Sequence, residues 1–363
     1  MLVGIDASRA LRPVQTGTES YARQLIAALS DRPSPFRYRL YVDRDPQRPL
    51  GGWRAVETRV IRMPRLWTHL GLSYELLRHP PDVLFVPAHV VPIICPAPAV
   101  VTIHDIGYLW YRRAYRPVSW VLLHLGTIQN ARAARIILAD SEATAGDLVR
   151  HFRVPRSKIR VAYLGGPTVE PSDHHPLPSR LPDLPERYFL FIGTLQPRKN
   201  LARLLRAFAK IGRTAYPSVG LVIAGREGPG SETLRALSQR LGVMDRVHWL
   251  GYVADADRAS LYVNAVAFVF PSLYEGFGLP ILEAMAFGTP IISSTAAALP
   301  EIVGNAGLLV DPFDVNGFAL AMRRLLDDSA LRESLIARGY RRVTEFTWDR
   351  CAAVVEAAFN DAV

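Results

Sequence analysis

Short apolar runs alternate along the chain with longer stretches of helical periodicity. In the first half, runs at 2–5, 38–42, 83–86, 100–103, 135–139 and 159–162 read as strands. Helical patterns lie between several of them, at 18–29, 118–133 and 143–151. In the first of these, Tyr21, Leu25, Ala28 and Leu29 fall on one face, and Thr16 with Glu19 has capping-box spacing. A stretch at 174–187 then breaks the rhythm with Pro176, Pro178, Pro182 and Pro185, and reads as a linker. A second series follows. Its strands are expected at 188–192, 219–224, 247–250, 267–270 and 290–293, and its helices at 201–211, 233–241, 279–287 and 318–327. Strand–helix alternation of this kind implies parallel sheets covered on both faces. The expected architecture is α/β, with two doubly wound, Rossmann-like domains facing a central cleft. Residues 1–173 form the first domain, 174–347 the second, and 348–363 a terminal helix.

Composition narrows the function. The chain has 363 residues, 49% hydrophobic and 21% charged, which excludes disorder, collagen and coiled coil. Its two cysteines, Cys95 and Cys351, cannot build a disulfide framework and point to a reducing compartment. No basic stretch followed by an apolar run opens the sequence, so a cytoplasmic location is expected. The longest apolar tract, 90–103, is interrupted by three prolines and is too short to span a bilayer. Net charge is +10, and +9 of it lies in residues 1–173. Nucleic acid, a membrane surface or a phosphorylated substrate would each answer that charge. Only three of the 43 basic residues are lysines, which fits genomic codon bias as well as function.

Five segments carry candidate chemistry. In 270–283 a strand ends in a glycine loop and a helix begins near Pro280, a residue suited to the first helical position. Backbone N–H groups of Gly276, Phe277, Gly278 and Leu279 at such a helix start form an anion site. Glu275 and Glu283 flank it, and ionised carboxylates accept well from sugar or ribose hydroxyls. A tight turn with solvated glutamates is the alternative. In 191–200, Arg198 and Lys199 follow a strand and precede a helix, with Asn200 as its N-cap. A planar fork beside a point charge suits a diphosphate, although charge at a helix start is also commonplace. Gly17, between Thr16 and Thr18, would let backbone approach a ligand, or simply turn the chain. His104, after the apolar run 100–103, would bond a substrate hydroxyl or be satisfied internally. Ser141 reads first as an N-cap.

Taken together, GTLQPRKN (193–200), FVFPSLYEGFGLPILEAMAFGTPII (268–292), LPEIVGNAGLLVDP (299–312), TIHD (102–105) and ADSEATAGDLV (139–149) resemble the retaining glycosyltransferases of family 4. These segments keep the family's order and spacing. The resemblance implies the GT-B fold and transfer of a hexose, with retention, from a nucleotide-diphosphate sugar to a glycan or lipid-linked acceptor. A GDP-mannose-like donor is favoured over UDP- or dTDP-sugars. Arg198 and Lys199 would hold the diphosphate, and Glu283 the ribose hydroxyls. Glu275, with the backbone around Phe277 and Gly278, would hold the donor sugar. Gly17 would border the diphosphate, His104 would touch the transferred sugar, and Tyr252 and Val253 would line the base pocket. The terminal helix resembles the family's helix that crosses back to the first domain.

No metal or cofactor is expected. Two basic residues can neutralise a diphosphate, and neither Asp43-Arg44-Asp45 nor Asp255-Ala256-Asp257 follows a ligand pattern. Nucleic acid is not an expected partner, because no helix-turn-helix, RNP or zinc pattern accompanies the charge. A dehydrogenase is disfavoured because no G-x-G-x-x-G follows a strand. An epimerase or phosphorylase on the same fold remains an alternative, as does, more remotely, a basic nucleic-acid-binding protein. In the first domain, Arg54, Arg59, Arg62 and Arg65 precede Leu66, Trp67, Leu70 and Leu72, and Trp110 to Arg116 mixes aromatic and basic groups. Such a surface suits an anionic membrane or a lipid-diphosphate acceptor. It suits ordinary lining and protein contacts equally.

Overall fold

The computed structural model describes all residues except 13–16, 47–55, 64, 113–114, 168–183 and 213, and except the side chains of Val56, Asp255 and Ala256. The chain divides into two compact units. Unit 1 comprises Met1–Gly165 with Thr347–Val363, and unit 2 comprises Gly166–Phe346.

Unit 1 runs β1 (Leu2–Asp6), α1 (Gly17–Asp31), β2 (Arg37–Val42), β3 (Val56–Val60), a π-helical turn (Trp67–Leu72), α2 (Ser73–Arg78), β4 (Val83–Val86), β5 (Ala99–Ile103), α3 (Pro117–Ala133), β6 (Ile136–Ala139), α4 (Glu142–Phe152) and β7 (Ile159–Val161). Its strands form one parallel sheet in the order β3-β2-β1-β4-β5-β6-β7. All of β4 and β5 is buried, as strands covered on both faces must be.

Unit 2 repeats the plan. It contains β8 (Arg187–Ile192), α5 (Leu201–Lys210), β9 (Val219–Ala224), α6 (Ser231–Arg240), β10 (Val247–Gly251), α7 (Asp255–Val263), β11 (Ala267–Phe270), α8 (Leu279–Ala286), β12 (Ile291–Ser294), α9 (Leu299–Val303), β13 (Gly307–Val310), α10 (Val315–Asp327) and α11 (Ser329–Val343). The sheet is parallel, in the order β10-β9-β8-β11-β12-β13. In each sheet the strand order reverses beside the first strand, between β1 and β4 and between β8 and β11. Doubly wound sheets bind ligands at the carboxyl ends of the strands that flank such a point.

The last helix, α12 (Trp348–Ala362), completes unit 1. Thr347 caps it by accepting from the Arg350 N–H at 3.2 Å. Phe359 sits 5.4 Å from Phe85 and 5.7 Å from Phe36, ring to ring, and Trp348 lies 6.0 Å from Tyr21. Arg32 reaches Asp349 at 3.1 Å and Glu356 at 3.3 Å.

Several elements differ from the periodicity reading. The edge strands β3 and β13 were not anticipated. β3 carries three polar residues in a row, Glu57, Thr58 and Arg59, the first two exposed, and β13 has only four residues. Helix α11 was also missed, because only Leu335 and Gly339 are buried along its 15 residues and its apolar stripe is faint. On α1, the buried face is Tyr21, Ala22, Leu25, Ile26 and Leu29, with Ala28 only half-buried. Thr16 of the expected capping box, and most of the expected linker, lie outside the described residues.

Candidate active site

The two loops at the switch point of unit 2 are those after β8 and β11. They carry Arg198, Lys199 and Glu275, and the fold joins the three into one network. Lys199 Nζ donates to Glu275 Oε1 at 2.7 Å, and an Arg198 NH group donates to Glu275 Oε2 at 2.8 Å. The same guanidinium nitrogen reaches the Tyr274 carbonyl at 3.0 Å. The Arg198 carbonyl in turn accepts from the Leu273 N–H at 2.7 Å, so the loops are stitched by backbone as well. Lys199 also lies 4.7 Å above the Phe270 ring, a cation–π contact on the last residue of β11. Burial alone would raise the Glu275 carboxyl. Arg198 and Lys199 outweigh it and pull the group down to about 2. Two cations meet one carboxylate there, in a largely desolvated place.

Asn200 sets this geometry differently from the sequence reading. It occupies the N-cap position of α5 in the left-handed conformation, φ 62°, but its side chain makes no capping bond. Its amide instead donates to the Pro271 carbonyl at 2.9 Å and the Pro312 carbonyl at 2.7 Å. The amide thus ties two neighbouring loops instead of capping the helix. Close approach also explains Gly225: a Cβ there would lie 2.0 Å from the Gly193 carbonyl oxygen.

The loop after β11 enters α8 through Gly278, at φ 112°, with proline in the first turn. A Cβ at Gly278 would press on Leu299 at 3.1 Å. Phe277 is buried against Phe346, ring centroids 5.9 Å apart, so its side chain belongs to the core. Gly276 is buried and Leu279 half-buried. Glu283, one turn into α8, is separate from the Glu275 network. It is paired with Arg258, and the Tyr262 hydroxyl donates to it at 2.8 Å. Arg258 and Tyr262 stand four apart on α7 and share a face. The sequence reading missed both because α7 itself was not anticipated. Tyr252, after β10, is 60% exposed, with the Arg226 guanidinium 4.9 Å from its ring; Val253 beside it is buried.

The other expected site residues lie in unit 1. Gly17 begins α1, and an added Cβ would meet nothing within 4 Å. His104 follows β5, and both its nitrogens are engaged inside the unit. Nδ1 lies 2.7 Å from Asp140 Oδ2 and Nε2 lies 3.0 Å from the Pro87 carbonyl. Two oxygen partners suit an imidazolium that donates from both nitrogens. Burial opposes that charge, yet Asp140 raises the group above its ordinary value. Tyr21 packs edge-on against the ring at 4.7 Å. Of the two readings of His104, this geometry satisfies the internal one. Ser141 caps α4, accepting from the Thr144 N–H at 3.1 Å.

Known proteins bear on this arrangement. A family model described as glycosyl transferases group 1 matches residues 178–342, and one described as glycosyltransferase family 4 matches 16–168. The chain is 34% identical over 267 residues to O-antigen chain mannosyltransferase B of Escherichia coli, covering 72% of this chain and 70% of that protein. It is 34% identical over 237 residues to an MMP α-(1→4)-mannosyltransferase of Mycolicibacterium hassiacum, spanning 64% of this chain and only 56% of the relative. The fold matches that of HepE from Anabaena, solved with UDP and glucose, with a TM-score of 0.72 over 99% of both chains at 19% identity. The two Rossmann-like units are those of the GT-B architecture, and the chain belongs to the family 4 (group 1) glycosyltransferases.

Proposed function

We propose that this glycosyltransferase moves a hexose, mannose by preference, from a nucleotide-diphosphate sugar to a glycan or lipid-linked acceptor, with retention at the anomeric carbon. The Arg198–Lys199–Glu275 network is the observation that carries the reading. In transfer, the bond from the anomeric carbon to the diphosphate oxygen breaks as negative charge gathers on the leaving group. A prearranged pair of cations beside a helix start stabilises that charge with no reorganisation. The acceptor oxygen bonds the anomeric carbon on the same face, and its proton passes to the departing phosphate. Glu275 keeps lone pairs beyond those used by the cations and can accept from a donor-sugar hydroxyl. Glu283 would accept from the ribose, with Arg258 and Tyr262 fixing its orientation. Tyr252 and Val253 would meet the base. Gly17 would border the diphosphate, and His104 would reach the sugar by exchanging its Pro87 contact. With two cations in place the reaction needs no metal.

The mannosyl preference draws on the names of the two relatives. A GDP-sugar is favoured, with UDP- and dTDP-sugars as competitors. Thermal unfolding with GDP, UDP, ADP or dTDP, each with EDTA, tests this. A nucleotide at 100 times its dissociation constant adds roughly 2.7 kcal/mol. Stabilisation by GDP supports the reading, and stabilisation by none removes it.

A lipid-linked acceptor would bring the enzyme to a membrane surface. Val118, Val121, Leu122 and Leu125 form an exposed stripe along α3, with Arg112 and Arg116 exposed just before it. Apolar and basic groups together suit peripheral contact with anionic lipid. No described helix is long and apolar enough to cross a membrane.

A further inference from the structure

The loop between Glu275 and α8 has a single side chain of its own, Phe277, because its neighbours Gly276 and Gly278 have none. Glycines leave a backbone free, and that freedom must be removed if its N–H groups are to face a ligand in fixed directions. Phe277 is 4% exposed and meets Phe346 edge-on, with ring centroids 5.9 Å apart. The Arg342 guanidinium, in the last turn of α11, lies 4.9 Å from the Phe346 centroid. Arg342 Nε donates to the Ile302 carbonyl at 3.2 Å, and a further N–H of the same group donates to the Glu301 carbonyl. Both carbonyls belong to α9, whose Leu299 sits against Gly278 on the far side of Phe277 in the chain. One guanidinium therefore joins the supports of both residues of the loop.

Phe346 is also the last residue of unit 2. The chain passes between the units twice, after Gly165 and after Phe346. Within unit 2 these passages are tied, since the Gly166 N–H donates to the Phe346 carbonyl at 3.0 Å. Gly166 in turn lies against α8: a Cβ there would come 3.2 Å from Leu282 Cβ and 3.0 Å from Val343. Leu282 precedes Glu283. Both passages thus bear on one element, Phe346 on the loop before α8 and Gly166 on the helix itself. Filling space asks only for an apolar group, whereas a ring edge-on to one aromatic and beside a guanidinium fixes an orientation.

We propose that Phe346 is a positioning residue for the donor diphosphate: it holds the Phe277 ring, and through it aims the backbone N–H groups of 276–279. Phe346 touches no substrate itself. The consequence for binding rests on reading this loop as the diphosphate site, but the prop does not.

The test compares wild type with Phe346→Leu, which keeps an apolar group and loses the ring, and Phe346→Tyr, which keeps the ring. Hydrogen exchange across 276–279 should quicken about tenfold in Phe346→Leu while exchange in β9 holds, and Phe346→Tyr should stay near wild type. Calorimetric titration with GDP, UDP, ADP and dTDP, each against its own nucleoside, gives the second readout. The advantage of the diphosphate over the nucleoside should fall about tenfold in Phe346→Leu, as for one weakened charge-assisted hydrogen bond, with the nucleoside's own affinity kept. Unchanged exchange at 276–279 overturns the proposal. So does an undiminished diphosphate advantage, or an equal loss of nucleoside and diphosphate, which is what a general loosening of unit 2 would give. Faster exchange at 276–279 in Phe346→Leu, with no nucleotide bound by wild type, keeps the prop and overturns the donor reading instead.

Discussion

Units 1 and 2 use the same sheet order and place their polar groups at the same carboxyl ends, but spend their charge differently. In unit 2, two cations, Arg198 and Lys199, meet at one carboxylate, Glu275. In unit 1, the buried Asp140 carboxyl is paired with His104 at 2.7 Å. Yet unit 1 lies in the half of the sequence that carries most of the +10 net charge. That charge is spread over surface arginines, several of them paired, as Arg39 with Glu57 at 2.7 Å and Arg160 with Asp361 at 2.9 Å. Overall charge therefore says little about where an anion binds. What matters is whether cations are held together where water is excluded.

Breaking the buried pair of unit 1 should have the largest effect. His104→Ala leaves Asp140 buried and uncompensated, and should cost about 3–5 kcal/mol in chemical denaturation. A loss near zero would show that the pair is not an ion pair in solution. In unit 2, Lys199→Ala should act on the reaction instead. Turnover should fall about 10²–10³-fold, the cost of about 2.7–4 kcal/mol for one charge-stabilising donor. Near-normal turnover would remove unit 2's cluster from the chemistry.

The two units should also be separable by pH. Glu275 is held below its ordinary value, so its stabilising contribution is complete above 4.5 and disappears as pH falls toward about 2. His104 is held above its ordinary value of 6.5, so its contribution is complete below that and is lost as pH rises through the folded-state value. Unfolding midpoints across pH should show an acid limb that Glu275→Gln flattens and an alkaline limb that His104→Gln flattens. The smallest expected change in stability is at the α3 stripe. Leu122→Ser, at a side chain 64% exposed, should shift stability by no more than about 0.5 kcal/mol. Co-sedimentation with anionic liposomes should drop in the same variant; unchanged binding would place membrane contact elsewhere.

Much of this organisation was legible in the chain. The apolar runs at 83–86, 188–192 and 219–224 became fully or almost fully buried central strands, because β-branched and aromatic residues in short unbroken runs fit a sheet covered on both faces. Pro280 in the first turn of α8 and Ser141 as a cap were equally readable, since both depend on neighbours within four residues. Edge strands β3 and β13 and the polar helix α11 were not, because elements buried on little of their surface need little hydrophobic pattern.

By itself the sequence determined the family and the paired sheets, and singled out Arg198, Lys199 and Glu275 as candidates for the chemistry, all from local runs of residue type. Only the tertiary structure decided which groups meet. It brought Glu275 onto two cations 76 and 77 residues away, and turned Asn200 from helix cap to loop clamp. It set Arg258 and Tyr262 on Glu283, and closed both nitrogens of His104. The physical reason is the winding of a parallel sheet: residues distant in sequence arrive at one carboxyl edge, and a partner's distance along the chain carries no trace in local pattern.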